Sequence, residues 1–134
     1  MSVPRFTLEV PVEPADIDEN EHVSNLVYVR WVLDAARAHS DAEGFDHAAY
    51  RRLGGIFIVR RQEVDYLLPA RLGDRIAVTT RVEPWKRVSC SRHTEIQRVG
   101  EDRMLARAVT HWVFVSFETG RPTKIPDALV SAFS

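Results

Sequence analysis

The feature that most constrains the fold is a long, mostly apolar segment that runs from Leu26 to Ala42. Its charged residues recur at intervals of four, three and four positions, which places them on one narrow stripe of an α-helix: Arg30, Asp34, Arg37 and Asp41. A helix that is apolar over the rest of its circumference is a buried helix. Because one helix cannot cover its own apolar surface, the rest of the chain has to enclose it.

The rest of the chain is patterned mainly as β-strand. Phe6–Val12 alternates weakly, and Pro11 favours an edge position for that strand. A short amphipathic segment at Asp46–Leu53 stops at two glycines, and four strand-like runs follow it: Ile56–Leu68, Asp74–Glu83, Val88–Val99 and Met104–Phe117. Strands joined by short turns pair antiparallel. The sequence therefore predicts an α+β fold, with one long curved antiparallel sheet wrapped around a central apolar helix.

Length and composition narrow the class of protein. The 134 residues suit a single domain covering 1–134, and a net charge of −1 provides no overall field that would recruit nucleic acid or an anionic membrane. Cys90 is the only cysteine, which excludes an internal disulfide and a thiol-rich metal site. We find neither a signal-peptide pattern nor an apolar run of about 20 residues. We therefore expect a cytoplasmic protein.

The densest polar run, residues 16–25, lies directly before the apolar helix. Asp16 and Asp18 are followed there by His22 and Asn25. The first backbone N–H groups of a helix, here around 23–27, have no intrahelical partner and can stabilise a developing oxyanion. A carboxylate beside them could act as a base or nucleophile towards a carbonyl, which favours acyl transfer or hydrolysis. The alternatives are a solvated helix-capping turn and, less consistent with the ligand spacing, a divalent-metal loop.

The same run resembles a family signature. Residues 15–31, ADIDENEHVSNLVYVRW, are similar to the D-x-D-x-x-G-H-V-N-N-x-x-Y-x-x-W pattern of 4-hydroxybenzoyl-CoA thioesterase-like proteins, a branch of the hotdog superfamily, and to the corresponding motif of acyl-ACP thioesterases. Residues 66–74, YLLPARLGD, resemble the family's Y-x-x-P-x-x-x-G-D, and residues 112–126 resemble its final strand and tail. The likeness spans nearly the whole chain and implies a hotdog fold.

The resemblance also implies an activity and its residues. It makes Asp18 the catalytic carboxylate, with Asn25 and His22 beside it, and it puts Val23 and Tyr28 next to the substrate. The reaction would be hydrolysis of an acyl-CoA or acyl-ACP thioester with no metal or other cofactor, in a cleft between subunits of a homodimer or homotetramer.

In acyl-CoA relatives, basic residues near the bend between the third and fourth strands contact CoA phosphates, so the resemblance makes the basic residues at this bend the candidates here. These are Lys86, Arg87 and, less directly, Arg92. The alternative for Lys86 and Arg87 is that they are ordinary solvated cations.

Two departures from the family pattern bear on activity. Glu21 replaces the usual Gly, and Ser24 replaces a common Asn. The first departure leaves open a non-catalytic protein that binds acyl thioesters. A third possibility, a hotdog dehydratase, is disfavoured because those enzymes place a His and its acidic partner differently.

Overall fold

The computed structural model describes residues 3–134 and confirms the predicted order of elements. The five strands are β1 (Phe6–Pro11), β2 (Gly55–Tyr66), β3 (Arg75–Trp85), β4 (Ser89–Arg98) and β5 (Met104–Ser116). The helices are α1 (Asn25–Ala42), α2 (His47–Leu53) and α3 (Asp127–Phe133), and a short 3-10 helix spans Pro14–Asp16. Ser24 caps α1 by accepting a hydrogen bond from the Leu26 N–H, and Gly54 ends α2 in the left-handed conformation.

The strands form one antiparallel sheet in the order β1-β3-β4-β5-β2, so β1 and β2 are its two edges. The edge position predicted for β1 from its proline is confirmed. Alternate residues of β3 and β4 face inward and are buried, as period-two patterning requires. This α+β arrangement of one helix against a long sheet is the hotdog fold that the sequence predicts.

Helix α1 lies against the inner face of the sheet. Its buried side includes Trp31, Val32 and Ala35, each at most 1% exposed. The opposite side carries the predicted charged stripe, but it also leaves Leu26 79% exposed and Leu33 37% exposed. One chain alone therefore does not cover α1 as completely as its composition suggested.

Two features were not predicted. Helix α3 has only seven residues and follows Pro126, so its apolar periodicity is too short to stand out, although Leu129 and Phe133 are buried. The third strand-like run was expected to end at Glu83, whereas β3 continues through Pro84 to Trp85 with a shift of register against β4. Within residues 3–134 no helix is long and apolar enough to cross a membrane.

Candidate functional site

The polar run before α1 folds into a tight turn. The Asp18 carbonyl accepts the Glu21 N–H at 3.0 Å, and the Asp18 N–H donates to the His22 carbonyl at 2.9 Å. Ile17 and Val23 pair across the base of this turn as an isolated antiparallel bridge. The loop is therefore held by its own backbone rather than extended into solvent.

Glu21 occupies a backbone conformation that favours glycine. Its φ is +62°, and it is the one non-glycine residue among 3–134 with a positive φ. The left-handed region costs an ordinary L-residue about 1–2 kcal/mol. The turn thus keeps the geometry for which the family pattern has Gly, and Glu21 bears a conformational cost there.

The two aspartates of the run have different environments. Asp16 is 3% exposed; its carboxylate accepts the Glu13 N–H at 2.9 Å and pairs with the Arg30 guanidinium at 2.9 Å. Asp18 is exposed, and one of its carboxylate oxygens accepts the Asn20 N–H at 2.9 Å. No hydrogen bond from residues 3–134 reaches the other oxygen. Asp16 therefore holds the loop against α1, while Asp18 remains available for a ligand.

Most of the amides expected to polarise a carbonyl are already used. The N–H of Val23 donates to the Ala70 carbonyl at 3.1 Å, and that of Ser24 donates to the Asp16 carbonyl at 2.9 Å. Leu26 and Val27 both donate to Ser24, through its side chain and its carbonyl respectively. Among the N–H groups of residues 23–27, only that of Asn25 has no partner in the described chain. The broad set of amides predicted around 23–27 is thus reduced to one.

A cleft of about 510 Å³ opens beside this turn. Asp18, His22, Val23, Asn25 and Tyr28 all line it, so the structure brings five of the sequence-predicted residues together. Asn25 is exposed, His22 is half-buried, and Val23 contributes a buried side chain to the floor. Asp18 with its exposed carboxylate, Asn25 and His22 therefore line one space.

The far wall of the cleft comes from the segment after β2, which was not counted among the predicted site residues: Tyr66, Leu67, Leu68 and Pro69. The sequence did contain a signal that could have identified them as site residues, because they form the Y-x-x-P part of the second family motif. The Tyr66 hydroxyl donates to the Asn25 carbonyl at 3.3 Å, which joins the two walls.

Tyr28 anchors the segment after β2 to helix α1. Its hydroxyl accepts the Ala70 N–H at 2.8 Å, and burial raises the pKa of Tyr28, so it remains a neutral phenol. Arg98 adds a second anchor by donating to the Pro69 carbonyl at 2.8 Å while pairing with Asp74 at 2.8 Å. These contacts explain the aspartate of the second motif as a support of the cleft.

The three basic candidates lie elsewhere. Lys86 and Arg87 are exposed at the turn after β3, whereas the Asp18 loop is near the start of that strand. Eleven strand residues span about 35 Å, so these cations are far from Asp18 of their own chain. Arg92 is only 6% exposed and points into the interior. Arg92 therefore does not share the exposed position of Lys86 and Arg87, and its contact with CoA phosphates remains a prediction.

Two further features of the sequence are the single cysteine, Cys90, and the possible metal loop. Burial raises the pKa of the Cys90 thiol to about 12, so it is a protonated packing group. Across residues 3–134, no three His, Cys, Asp or Glu side chains are grouped in a way that could hold a metal ion.

Comparison with solved structures gives the same fold. Slr0204 from Synechocystis, a 1,4-dihydroxy-2-naphthoyl-CoA thioesterase, superposes with a TM-score of 0.88 at 22% identity over 97% of this chain and 96% of that one. SAV2348 from Staphylococcus aureus, solved in complex with CoA, gives a TM-score of 0.90 at 17% identity over 98% of this chain and 83% of that one. No curated protein matches in sequence.

The fold is thus that of a hotdog protein. The family model described as the thioesterase-like superfamily matches residues 12–133. The chain belongs to the thioesterase-like superfamily.

Proposed function

We propose that the protein hydrolyses acyl-CoA thioesters and that Asp18 is its catalytic carboxylate. The observation that carries this proposal is the cleft, which is lined by both Asp18, with one carboxylate oxygen free of hydrogen bonds, and Asn25, whose N–H has no partner among residues 3–134. A hydrolase needs a proton acceptor and an oxyanion donor within one substrate's reach. Membership of the thioesterase-like superfamily supports the reaction class.

Two chemical routes use these groups. As a general base, Asp18 takes a proton from water, the oxygen of that water bonds to the thioester carbon, and the C–S bond breaks to release the thiol. As a nucleophile, Asp18 bonds to the carbon and expels the thiolate, and water then hydrolyses the resulting anhydride. In both routes the N–H of Asn25 donates to the carbonyl oxygen as it gains negative charge. His22 and Tyr28 shape the space around the reacting group.

The complete site is proposed to need a second copy of the chain. Lys86 and Arg87 are too distant from Asp18 in one chain to contact the CoA portion of the same substrate. The β2 edge offers a solution, because an antiparallel copy of β2 would bring the Val59 end of one strand beside the Tyr66 end of the other. The Val59 end of β2 lies at the same end of the sheet as the turn at 86–87. The Tyr66 end borders the cleft.

The chemistry of the β2 edge supports that pairing. Ile58 and Val59 are 46% and 43% exposed on this unpaired strand, which is a surface that proteins normally cover. Exposed charges follow in a self-complementary order: Arg60 and Arg61 come first, then Glu63 and Asp65. An antiparallel copy places the basic half of one strand opposite the acidic half of the other. Pairing of two chains through their β2 edges would give a homodimer, or a tetramer built from such dimers.

Turnover of a panel of acyl thioesters tests the proposal. Short, long and aromatic acyl-CoAs, and acyl-ACPs, are mixed with the protein, and the released thiol is measured with a thiol-reactive dye. We expect hydrolysis of at least one acyl-CoA, a preference that the CoA complex of SAV2348 supports. If every thioester stays intact although acyl-CoA binds, the protein is a non-catalytic acyl-thioester-binding protein.

Light scattering at micromolar concentration tests the assembly separately. We expect a dimer or larger species. A fully active monomer of 15.3 kDa would contradict the shared site.

A further inference from the structure

A second cavity, of about 320 Å³, lies at the other end of α1 and shares no lining residue with the Asp18 cleft. Its floor is formed by residues that are paired across neighbouring strands. One row consists of Trp85 in β3, Cys90 in β4 and Trp112 in β5, and the adjacent row includes the pair Val82 and Arg92. The second half of α1, α2 and α3 close it. The function proposed above gives this cavity no role.

The cavity contains a buried cation without a counter-ion. Arg92 is 6% exposed and forms no ion pair with any carboxylate of residues 3–134. One of its terminal nitrogens bonds to His39 Nδ1 at 2.9 Å and to Thr80 Oγ1 at 3.1 Å. A guanidinium has five N–H donors, so three of them have no partner in the described chain. Buried charges in proteins are normally paired, which makes this arrangement a signature of a missing anion.

The neighbours of Arg92 do not provide that anion. Burial, and then the guanidinium itself, lower the pKa of His39 to about 4, so the imidazole is neutral and accepts the Arg92 hydrogen bond. Burial lowers the pKa of Arg92 to about 10, which still leaves it charged at neutral pH. At the rim, Arg37 and Asp41 are exposed and opposite in sign. The charge inside the cavity is therefore one uncompensated positive charge.

The walls indicate what kind of anion fits. Six aromatic side chains line the space: Phe45, Tyr50, Phe57, Trp85, Trp112 and Phe133. Two of them, Trp85 and Trp112, have buried indole N–H groups with no hydrogen-bond partner among residues 3–134. The volume is at the lower end of the range of about 300–1,000 Å³ for small-molecule pockets. A flat apolar body of one or two rings fits such walls, with its charged end at Arg92.

We infer that this cavity is a binding site for a small aromatic carboxylate, whose carboxylate pairs with Arg92 while its ring packs among the aromatic walls. The inference does not depend on catalysis by Asp18. It also gives Arg92 a role as an anion partner, different from the contact with CoA phosphates that the sequence suggested.

Calorimetric titration with 2-naphthoate and its neutral counterpart 2-naphthamide tests the inference on the intact protein. The two probes have nearly the same shape, so their difference reports the charge. We expect 2-naphthoate to bind at least tenfold more tightly than the amide. Equal affinity, or no binding of 2-naphthoate at millimolar concentration, would overturn the inference.

Two variants locate the site. Arg92→Met keeps an unbranched apolar chain in place of the stem of Arg92 but removes the guanidinium and its charge, so it should weaken 2-naphthoate binding tenfold or more, with little change for the amide. Asp18→Asn alters only the other cleft and should bind 2-naphthoate as the wild type does, so loss of binding there would refute the assignment. If Arg92→Met does not fold, the comparison of the two probes on the wild type and on Asp18→Asn decides the question.

Discussion

Replacing Glu21 with glycine should stabilise the protein, because the site turn holds this residue at a φ of +62°. The left-handed conformation costs a residue with a Cβ about 1–2 kcal/mol. Glycine avoids that cost but loses about 0.5–1 kcal/mol more conformational entropy on folding. Glu21 is exposed and packs against no core, so little else changes. The net expectation is a gain of about 0.5–1 kcal/mol in the free energy of unfolding.

Urea unfolding of Glu21→Gly at fixed protein concentration measures this gain, with Glu21→Ala as the matched control. Alanine removes the same charge beside Asp18 but keeps the Cβ, so it should leave the free energy of unfolding nearly unchanged. The reasoning fails if alanine stabilises as much as glycine, because charge repulsion would then be the cause. It also fails if glycine destabilises the protein. Acyl-CoA turnover by Glu21→Gly should equal or exceed that of the wild type.

Three further predictions concern the pH response, the distant cations and the loop anchor. The pKa of His39 is about 4 in the folded chain and about 6.5 when unfolded, so the unfolded state takes up the proton first as the pH falls. Stability should therefore drop between pH 6.5 and 4, by about 3 kcal/mol at most, and unfolding curves of His39→Gln should show a smaller drop. Changing Lys86 and Arg87 together to Ala should raise the KM for acyl-CoA and weaken its salt dependence, with kcat nearly constant, because CoA phosphates do not react; unchanged kinetics would make both ordinary surface residues. Asp16→Asn weakens the Arg30 ion pair and should lower the free energy of unfolding by about 1–3 kcal/mol; a fully stable variant would contradict the anchoring role.

The sequence was sufficient for the architecture because the relevant signals are local. The charged stripe of α1, the alternation along β3 and the proline of β1 each depend on neighbouring residues, and each led to the observed element. Helix α3 was missed because its seven residues provide less than two full turns of pattern. Local periodicity therefore predicts long elements well and short terminal ones poorly.

The site was only partly predictable because its details depend on distant residues. No local pattern shows that the Ala70 carbonyl would occupy the Val23 N–H, which removes that amide from the expected oxyanion set. Arg92 is a different case, since it shares the period-two face of Cys90, Thr94 and Ile96, all of them buried. That alternation indicated an inward-facing arginine, whereas the contact with CoA phosphates was implied only by the resemblance to the family.

The kcat of Asp18→Asn tests the central claim most directly. Asparagine keeps the size of the side chain and can still accept the Asn20 N–H, so the variant should fold and bind acyl-CoA as the wild type does. It cannot take a proton from water or attack the carbonyl, so kcat should fall by about 10²–10⁴-fold, the usual contribution of a general base. Asp16→Asn, measured under conditions where it is folded, is the control and should retain most of its kcat. Wild-type turnover by Asp18→Asn, with Asp16→Asn or His22→Ala inactive, would contradict the assignment of Asp18.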